Sequence, residues 1–120
     1  MTFDPSPYIA AHRAANEAER KAIRERASLA IEEAKSLSER ILANDPEVEA
    51  VILFGSLAQG EPGRLSFDID LALVGGDLYR AEEIAEGSPF EVDLVRLDRL
   101  PEHFRARINE TGIELARRKR

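Results

Sequence analysis

The stretch from Tyr8 to Ala43 contains no glycine or proline, and this constrains the fold of the 120-residue chain more than any other feature. Alanine, glutamate, arginine and lysine dominate it, and all four are strong helix formers. One uninterrupted helix would be roughly 54 Å long at 1.5 Å per residue. Because that exceeds the width of a domain of this size, we expect either a break in the helix or a first half that projects.

The two halves of this stretch carry different side chains. Apolar residues in the second half are three or four apart, which indicates one helix face packed on a core: Ile23, Ala27, Ala30, Ile31, Ala34, Leu37 and Ile41. The first half presents mostly alanine. This face is consistent with close packing on another chain, including a homo-oligomer formed through the helix, or with a solvated arm. We expect the helix to start with Ser6 as N-cap and Pro7 as the first helical residue.

Asn44, Asp45 and Pro46 end the helix, and shorter elements follow. Apolar runs predict strands over Val48–Phe54, Asp68–Val74 and Phe90–Leu97, with helices over Leu78–Glu86 and Pro101–Asn109. Ile113–Leu115 is a last strand or a helix end. The alternation of helices and strands predicts an α/β (α+β) fold with a small mixed sheet of three to four strands flanked by helices. We divide the chain into a helical segment, 1–44, and a compact part, 45–120, within one structural domain.

Composition excludes several classes of site. The chain has no cysteine and two histidines, so disulfides, thiolate zinc sites and a cysteine nucleophile are excluded. A metal would be held by carboxylates, which favours Mg²⁺ or Mn²⁺. No apolar run approaches the ~20 residues of a membrane span, and Met1–Pro7 lacks a signal-peptide pattern. The expected location is therefore the cytoplasm.

The net charge of −6 argues against extended nucleic-acid binding, which needs a basic surface. The chain nevertheless ends on four basic residues, Arg117–Arg120. This tail either touches an acidic partner or is a solvated, frayed terminus.

Three aspartates are the candidates for chemistry. Asp68 and Asp70 are two apart in a predicted strand and share one face, while Ile69 and Leu71 point to the other. Two adjacent carboxylates repel each other, and a divalent cation reverses that penalty. Asp93 lies inside a later strand, where aspartate is disfavoured, so it predicts a third carboxylate of a phosphoryl-transfer site. The alternatives are a solvated edge strand for the first pair and an Asp–Arg pair for Asp93.

Gly55 and Ser56 follow the first predicted strand directly. Glycine permits close approach of the backbone to a phosphate, and serine adds a hydroxyl donor. Residues Leu57, Ala58 and Gln59 can begin a helix whose amides face an anion. A turn alone would also account for this pair.

Taken together, these motifs resemble the polymerase-beta-type nucleotidyltransferase superfamily, and most closely its minimal, single-domain members, the MNT proteins. The resemblance covers residues 48–116 and rests on four segments: Leu53–Ser56, Ala58 with Gly60, Asp68–Leu73 and Val92–Val95. It implies a nucleotidyltransferase fold, to which the long N-terminal helix is an addition.

The resemblance also implies a mechanism. Gly55 and Ser56 would hold the nucleoside triphosphate, and Asp68, Asp70 and Asp93 would be the catalytic carboxylates that bind Mg²⁺. Asp93 would also activate the acceptor hydroxyl. Arg64 would face the phosphates, unless it is a solvated loop residue. The expected reaction transfers a nucleoside monophosphate, AMP from ATP, and releases pyrophosphate.

The acceptor is missing from a chain of this size, since it has little room for a separate substrate domain. In the resembled family, minimal members act as antitoxins that modify HEPN-type partner proteins in toxin–antitoxin systems, so we expect such a partner. Two alternatives stay open. One is a non-catalytic antitoxin or binding module that masks its partner, and the other is a homodimeric nucleotidyltransferase acting on a small molecule.

Overall fold

The computed structural model describes residues 4–60 and 68–119. Within these residues the elements are α1 (Ser6–Asn44), β1 (Ala50–Phe54), β2 (Ile69–Val74), α2 (Leu78–Ala85), β3 (Val92–Arg96), α3 (Glu102–Thr111) and β4 (Ile113–Arg117), with a 3₁₀ turn, Leu97–Arg99, after β3. The predicted α+β class is confirmed, and the last segment is a strand.

Helix α1 is continuous over 39 residues and does not break. Its N-cap is Pro5, one residue before the predicted Ser6, and the Asp4 carboxylate accepts a hydrogen bond of 2.9 Å from the Ser6 amide. All side chains from residue 4 to residue 21 are exposed. We call residues 6–21 the arm. Because the arm projects, the molecule measures 73 × 31 × 23 Å.

The described strands form one sheet in the order β3-β2-β1-β4. Strand β1 is antiparallel to β2 and β4, whereas β2 and β3 are parallel and are connected through α2. The sheet is therefore mixed, as predicted. Its order makes β3 and β4 the two edge strands.

One face of the sheet packs on the C-terminal half of α1. Leu37 and Ile41 of the helix lie among Ile69, Leu71 and Leu73 of β2, and all five are buried. The opposite face carries a smaller cluster around Ala72 and Ile108 of α3. Alternation along β2 thus separates the two faces, as the sequence pattern predicted.

Helix α1 also gives the sheet two distinct ends. Its C-terminus lies at the end where β1 begins, since Asp45 bonds to Asp77 just after β2. Toward its N-terminus it passes the other end, where Arg26 lies over the ring of Phe90, shortly before β3, at 4.3 Å. The arm continues beyond that end. In the part of the chain that the structure describes, no helix combines the length and the apolar character needed to cross a bilayer.

Candidate active site

Asp70 and Asp93 are brought side by side by the parallel pairing of β2 and β3, in which they are direct register partners. Neighbouring strands are about 4.8 Å apart. Val92 and Leu94 pack on the α1 side, so alternation directs Asp93, like Asp70, to the opposite face. Two strand positions far apart in sequence therefore place two carboxylates next to each other.

Asp70 is the more enclosed member of this pair. Burial raises its pKa to about 6, and the negative charges of Asp93 and Asp68, together with a hydrogen bond to Asp93, act in the same direction. Both effects penalise the ionised carboxylate. Asp70 and Asp93 therefore form a site where negative charge is concentrated and incompletely compensated.

Asp68 takes part less directly. It is exposed and lies one residue before β2, but it is near enough for its charge to raise the pKa of Asp70. Across residues 4–60 and 68–119, no three carboxylate or imidazole side chains are gathered as a metal site. The structure thus brings two of the three predicted carboxylates into contact and leaves the third at the rim. Arg64, the predicted phosphate contact, lies outside the described residues.

Gly55 adjoins this pair from β1, because Phe54 is the register partner of Asp70. Its φ of +78° is accessible chiefly to glycine. A Cβ at this position would also collide with the Asp70 Oδ2 atom. Glycine is therefore favoured here both by the backbone conformation and by the position of the Asp70 carboxylate, and the second reason could not be read from the sequence.

Ser56 follows Gly55 and is exposed, while Leu57 anchors the loop in the core. The predicted helix start after Ser56 is wrong within the described residues, because 56–60 form turns. The Gln59 amide donates to the Gly55 carbonyl at 3.2 Å, which closes one turn after β1. The Ser56 side chain is exposed and comes one residue after the glycine that adjoins Asp70.

The donor set fits a hard divalent cation. Asp70 and Asp93, which contact each other, both carry carboxylates, the ligand type that Mg²⁺ and Mn²⁺ prefer. Among the described residues, none of Asp68, Asp70 and Asp93 forms a salt bridge. The raised pKa of Asp70 reflects its burial and the like charges of Asp93 and Asp68. A bound cation would reverse that penalty.

No motif in the sequence marks Glu82 and Glu86 as functional residues. These two residues of the α2 region line a groove of about 470 Å³ together with Asp93. Their spacing of four predicts a shared helix face. What places that face beside Asp93 is the β2–α2–β3 crossover, which cannot be inferred from local spacing.

Comparison with known proteins identifies the family. The model of the polymerase beta nucleotidyltransferase family matches residues 38–120, a range that includes Gly55, Asp70 and Asp93. The chain therefore belongs to this family, as the sequence motifs predicted. No curated protein matches the chain.

Two solved structures with TM-scores above 0.5 share the fold, and a third shows a lower similarity. A toxin–antitoxin crystal structure with AMP-PNP is 24% identical, covers 71% of this chain and 74% of its own, and has a TM-score of 0.58. A Sulfolobus solfataricus protein assigned as a nucleotidyltransferase is 19% identical, with coverages of 81% and 88% and a TM-score of 0.55. A mutant of the toxin–antitoxin pair MntA–HpeT is 25% identical, with coverages of 62% and 63% and a TM-score of 0.49.

Proposed function

We propose that this nucleotidyltransferase uses a divalent cation, Mg²⁺ or Mn²⁺, to transfer AMP from ATP to a hydroxyl group on a HEPN-type partner protein. The observation that carries the proposal is the register pairing of Asp70 with Asp93 on one sheet face, beside Gly55. The chemistry requires carboxylates next to a loop that admits phosphate, and these three residues supply both.

Each residue has a distinct role in the proposed reaction. The loop at Gly55 and Ser56 accommodates the triphosphate, and Asp70 with Asp93 and the rim residue Asp68 would hold the cation. When bound, the cation would neutralise charge on the phosphates and on the carboxylates. Arg64 stays a predicted phosphate contact.

Asp93 is the proposed base. It is the more exposed member of the pair, so it faces the side from which an acceptor arrives. The acceptor hydroxyl gives its proton to the Asp93 carboxylate, and its oxygen forms a bond to the α-phosphorus. The bond from that phosphorus to the bridging oxygen breaks, and pyrophosphate leaves with the electron pair.

The partner is inferred from size and from similarity. The chain has little room for an acceptor domain, and one structure of the same fold is described as a toxin–antitoxin with AMP-PNP. We infer an antitoxin role, in which modification of the partner silences it.

The test is label transfer from α-labelled ATP to the protein encoded next to this one, in the presence of Mg²⁺. We expect labelling by the wild type and a loss of at least a hundredfold in Asp70→Asn and Asp93→Asn, the range for removing a general base or its electrostatic partner. The exposed Glu110→Gln is the matched control and should label normally. Equal labelling by all variants, or none by the wild type, would reject the proposal.

A non-catalytic masking role is the second candidate, and the arm favours it. The exposed surface of the arm, beyond the carboxylate end of the sheet, offers a contact area for the partner. If masking is the function, deletion of residues 1–20 abolishes neutralisation of the partner while Asp70→Asn preserves it. If transfer is the function, Asp70→Asn abolishes neutralisation.

A further inference from the structure

The groove beside Asp93 runs between α2 and the outer edge of β3. Its walls include Glu82 and Glu86 on one side and Val92, Asp93 and Leu94 on the other, and it encloses about 470 Å³. Asp93, the residue that we propose as the base, is therefore part of the strand that borders the groove. An extended polymer lying along this strand would pass Asp93.

The backbone of β3 offers hydrogen bonds to such a polymer. The Glu91 carbonyl accepts a hydrogen bond from the Ile69 amide, so the main-chain groups of Glu91, Asp93 and Val95 face β2. Because these directions alternate along a strand, those of Val92 and Leu94 point outward. In the described part of the chain β3 pairs with β2 alone, and an edge of this kind is a template for another strand.

The negative charge of the groove indicates which kind of polymer would bind there. Four acidic residues line it, Glu82, Glu86, Glu91 and Asp93, and within residues 4–60 and 68–119 none of them forms a salt bridge. Arg26 brings one positive charge near it, over the ring of Phe90. The balance is strongly negative, which complements a basic segment.

We propose that the acceptor hydroxyl is carried by an extended, basic polypeptide segment that pairs with the free edge of β3. This inference rests on the proposed function, because it assigns the acceptor of the same site. Main-chain hydrogen bonds to Val92 and Leu94 would supply affinity, and lysine or arginine side chains would contact Glu82 and Glu86.

The register explains how such a segment presents its hydroxyl. Asp70, Asp93 and the paired residue of the segment form one row across the sheet, with about 4.8 Å between neighbours. A serine, threonine or tyrosine in that row and on the same face lies within reach of Asp93. The transfer then proceeds as described above, with the proton passing to Asp93 and the α-phosphorus bonded to the segment's oxygen.

The experiment measures binding of a fluorescent peptide by anisotropy, with the full chain and without nucleotide. The peptide has lysine alternating with valine around one tyrosine. We expect Glu82→Gln/Glu86→Gln to weaken binding about three- to tenfold, as for two exposed ion pairs, and added salt to weaken it further. Glu83→Gln/Glu110→Gln removes the same charge elsewhere and should leave binding unchanged.

Backbone pairing is tested on the peptide itself. N-methylation of one set of alternate residues should abolish binding, whereas methylation of the other set should leave it intact, since only one set faces β3. Equal effects of the two sets, equal binding of an aspartate-containing peptide, or equal weakening in both double variants would overturn the proposal. Loss of peptide binding as protein concentration rises would assign the edge to a second copy of this chain and also overturn it.

Failure of docking and failure of catalysis can be separated. Binding with both expected selectivities but no label transfer from ATP and Mg²⁺ supports the docking surface and rejects the proposed reaction. Label transfer to a protein that does not compete with the peptide supports the reaction and rejects the docking surface.

Discussion

An aspartate lies at each end of the sheet, and its surroundings shift the two pKa values in opposite directions. Burial acts to raise the pKa of Asp45, but hydrogen bonds from the Asp77 and Glu47 amides, with the charges of Arg80 and Arg118, outweigh burial and lower it. At the other end, burial and the like charges of Asp93 and Asp68 raise the pKa of Asp70 to about 6. The same residue type is thus stabilised as an anion at one end and penalised at the other.

The difference lies in what surrounds each carboxylate. Asp45 Oδ1 and Oδ2 accept hydrogen bonds of 3.0 and 2.8 Å from Glu47 and Asp77. We call the Asp45 end of the sheet the closed end and the Asp70 end the open end. Arg118 reinforces the closed end by donating to the carbonyls of Leu42, Asp45 and Val48. The open end has no such donors among the described residues. A concentration of negative charge of this kind is the property that the proposed cation-dependent transfer site needs.

The largest change in stability is expected from Gly55→Ala, which adds a side chain at the open end of the sheet. Gly55→Ala places a Cβ against Asp70 and also imposes a positive φ on alanine, so we expect a loss of about 2–4 kcal/mol in the free energy of unfolding. Gly60→Ala imposes a similar φ of +72° but meets nothing within 4 Å among the described residues. It should cost about 1–2 kcal/mol. Urea unfolding of both variants checks this.

The difference between the two glycine variants isolates the contact with Asp70. If Gly55→Ala and Gly60→Ala lose the same stability, Asp70 does not occupy the space beside residue 55, and the described geometry of the open end is wrong.

Breaking the closed end should cost about 1.5–3 kcal/mol, the range for hydrogen bonds to a charged group. Asp45→Asn keeps one acceptor oxygen, so its NH₂ group must face one of the two amides. Because the folded pKa of Asp45 is lowered, its contribution is present above the usual value of 3.8 and is lost as pH falls through the folded pKa. Chemical unfolding at pH 7 and pH 3 should show the variant's deficit shrinking at the lower pH.

The smallest effect has the opposite sign. Asp70→Asn removes a penalised charge, so at pH 7 we expect a gain of up to about 1 kcal/mol, allowing for screening at this half-buried site. The folded pKa is raised, so the wild type loses stability as pH rises from 3.8 to about 6. The variant should lack this slope. A destabilised Asp70→Asn at pH 7 would make Asp70 a structural residue like Asp45.

Local pattern accounted for much of the open end. Alternation separated Asp70 from Ile69 and Leu71, and the position of Asp93 inside an apolar strand singled it out. The pairing of Asp70 with Asp93 was not accessible, since it depends on the crossover through α2. The collision between Gly55 and Asp70 likewise arises only once β1 and β2 are paired.

The closed end escaped prediction for the same reason. From the sequence, Arg117–Arg120 was predicted to be either a partner contact or a solvated terminus. In the structure, Arg118 instead donates hydrogen bonds to carbonyls more than 70 residues earlier in the chain. The sequence pattern identified Asp45 only as one of the residues that end α1, and it did not predict the hydrogen bonds of its carboxylate. Its second partner, Asp77, is 32 residues away. Helix periodicity predicted α1 well, but whether the arm would project or break depended on tertiary packing.

The central claim is that Asp70 belongs to a carboxylate pair built for a cation, and the carboxyl pKa of Asp70 tests it most directly. We propose ¹³C NMR titration of the aspartate side chains with and without Mg²⁺ and a non-hydrolysable ATP analogue. The account predicts a pKa of about 6 for Asp70 in the free protein, a clear decrease with the cation, and a pKa for Asp45 that stays below 3.8 in both conditions. An Asp70 pKa in the ordinary range that does not respond to Mg²⁺ would contradict it.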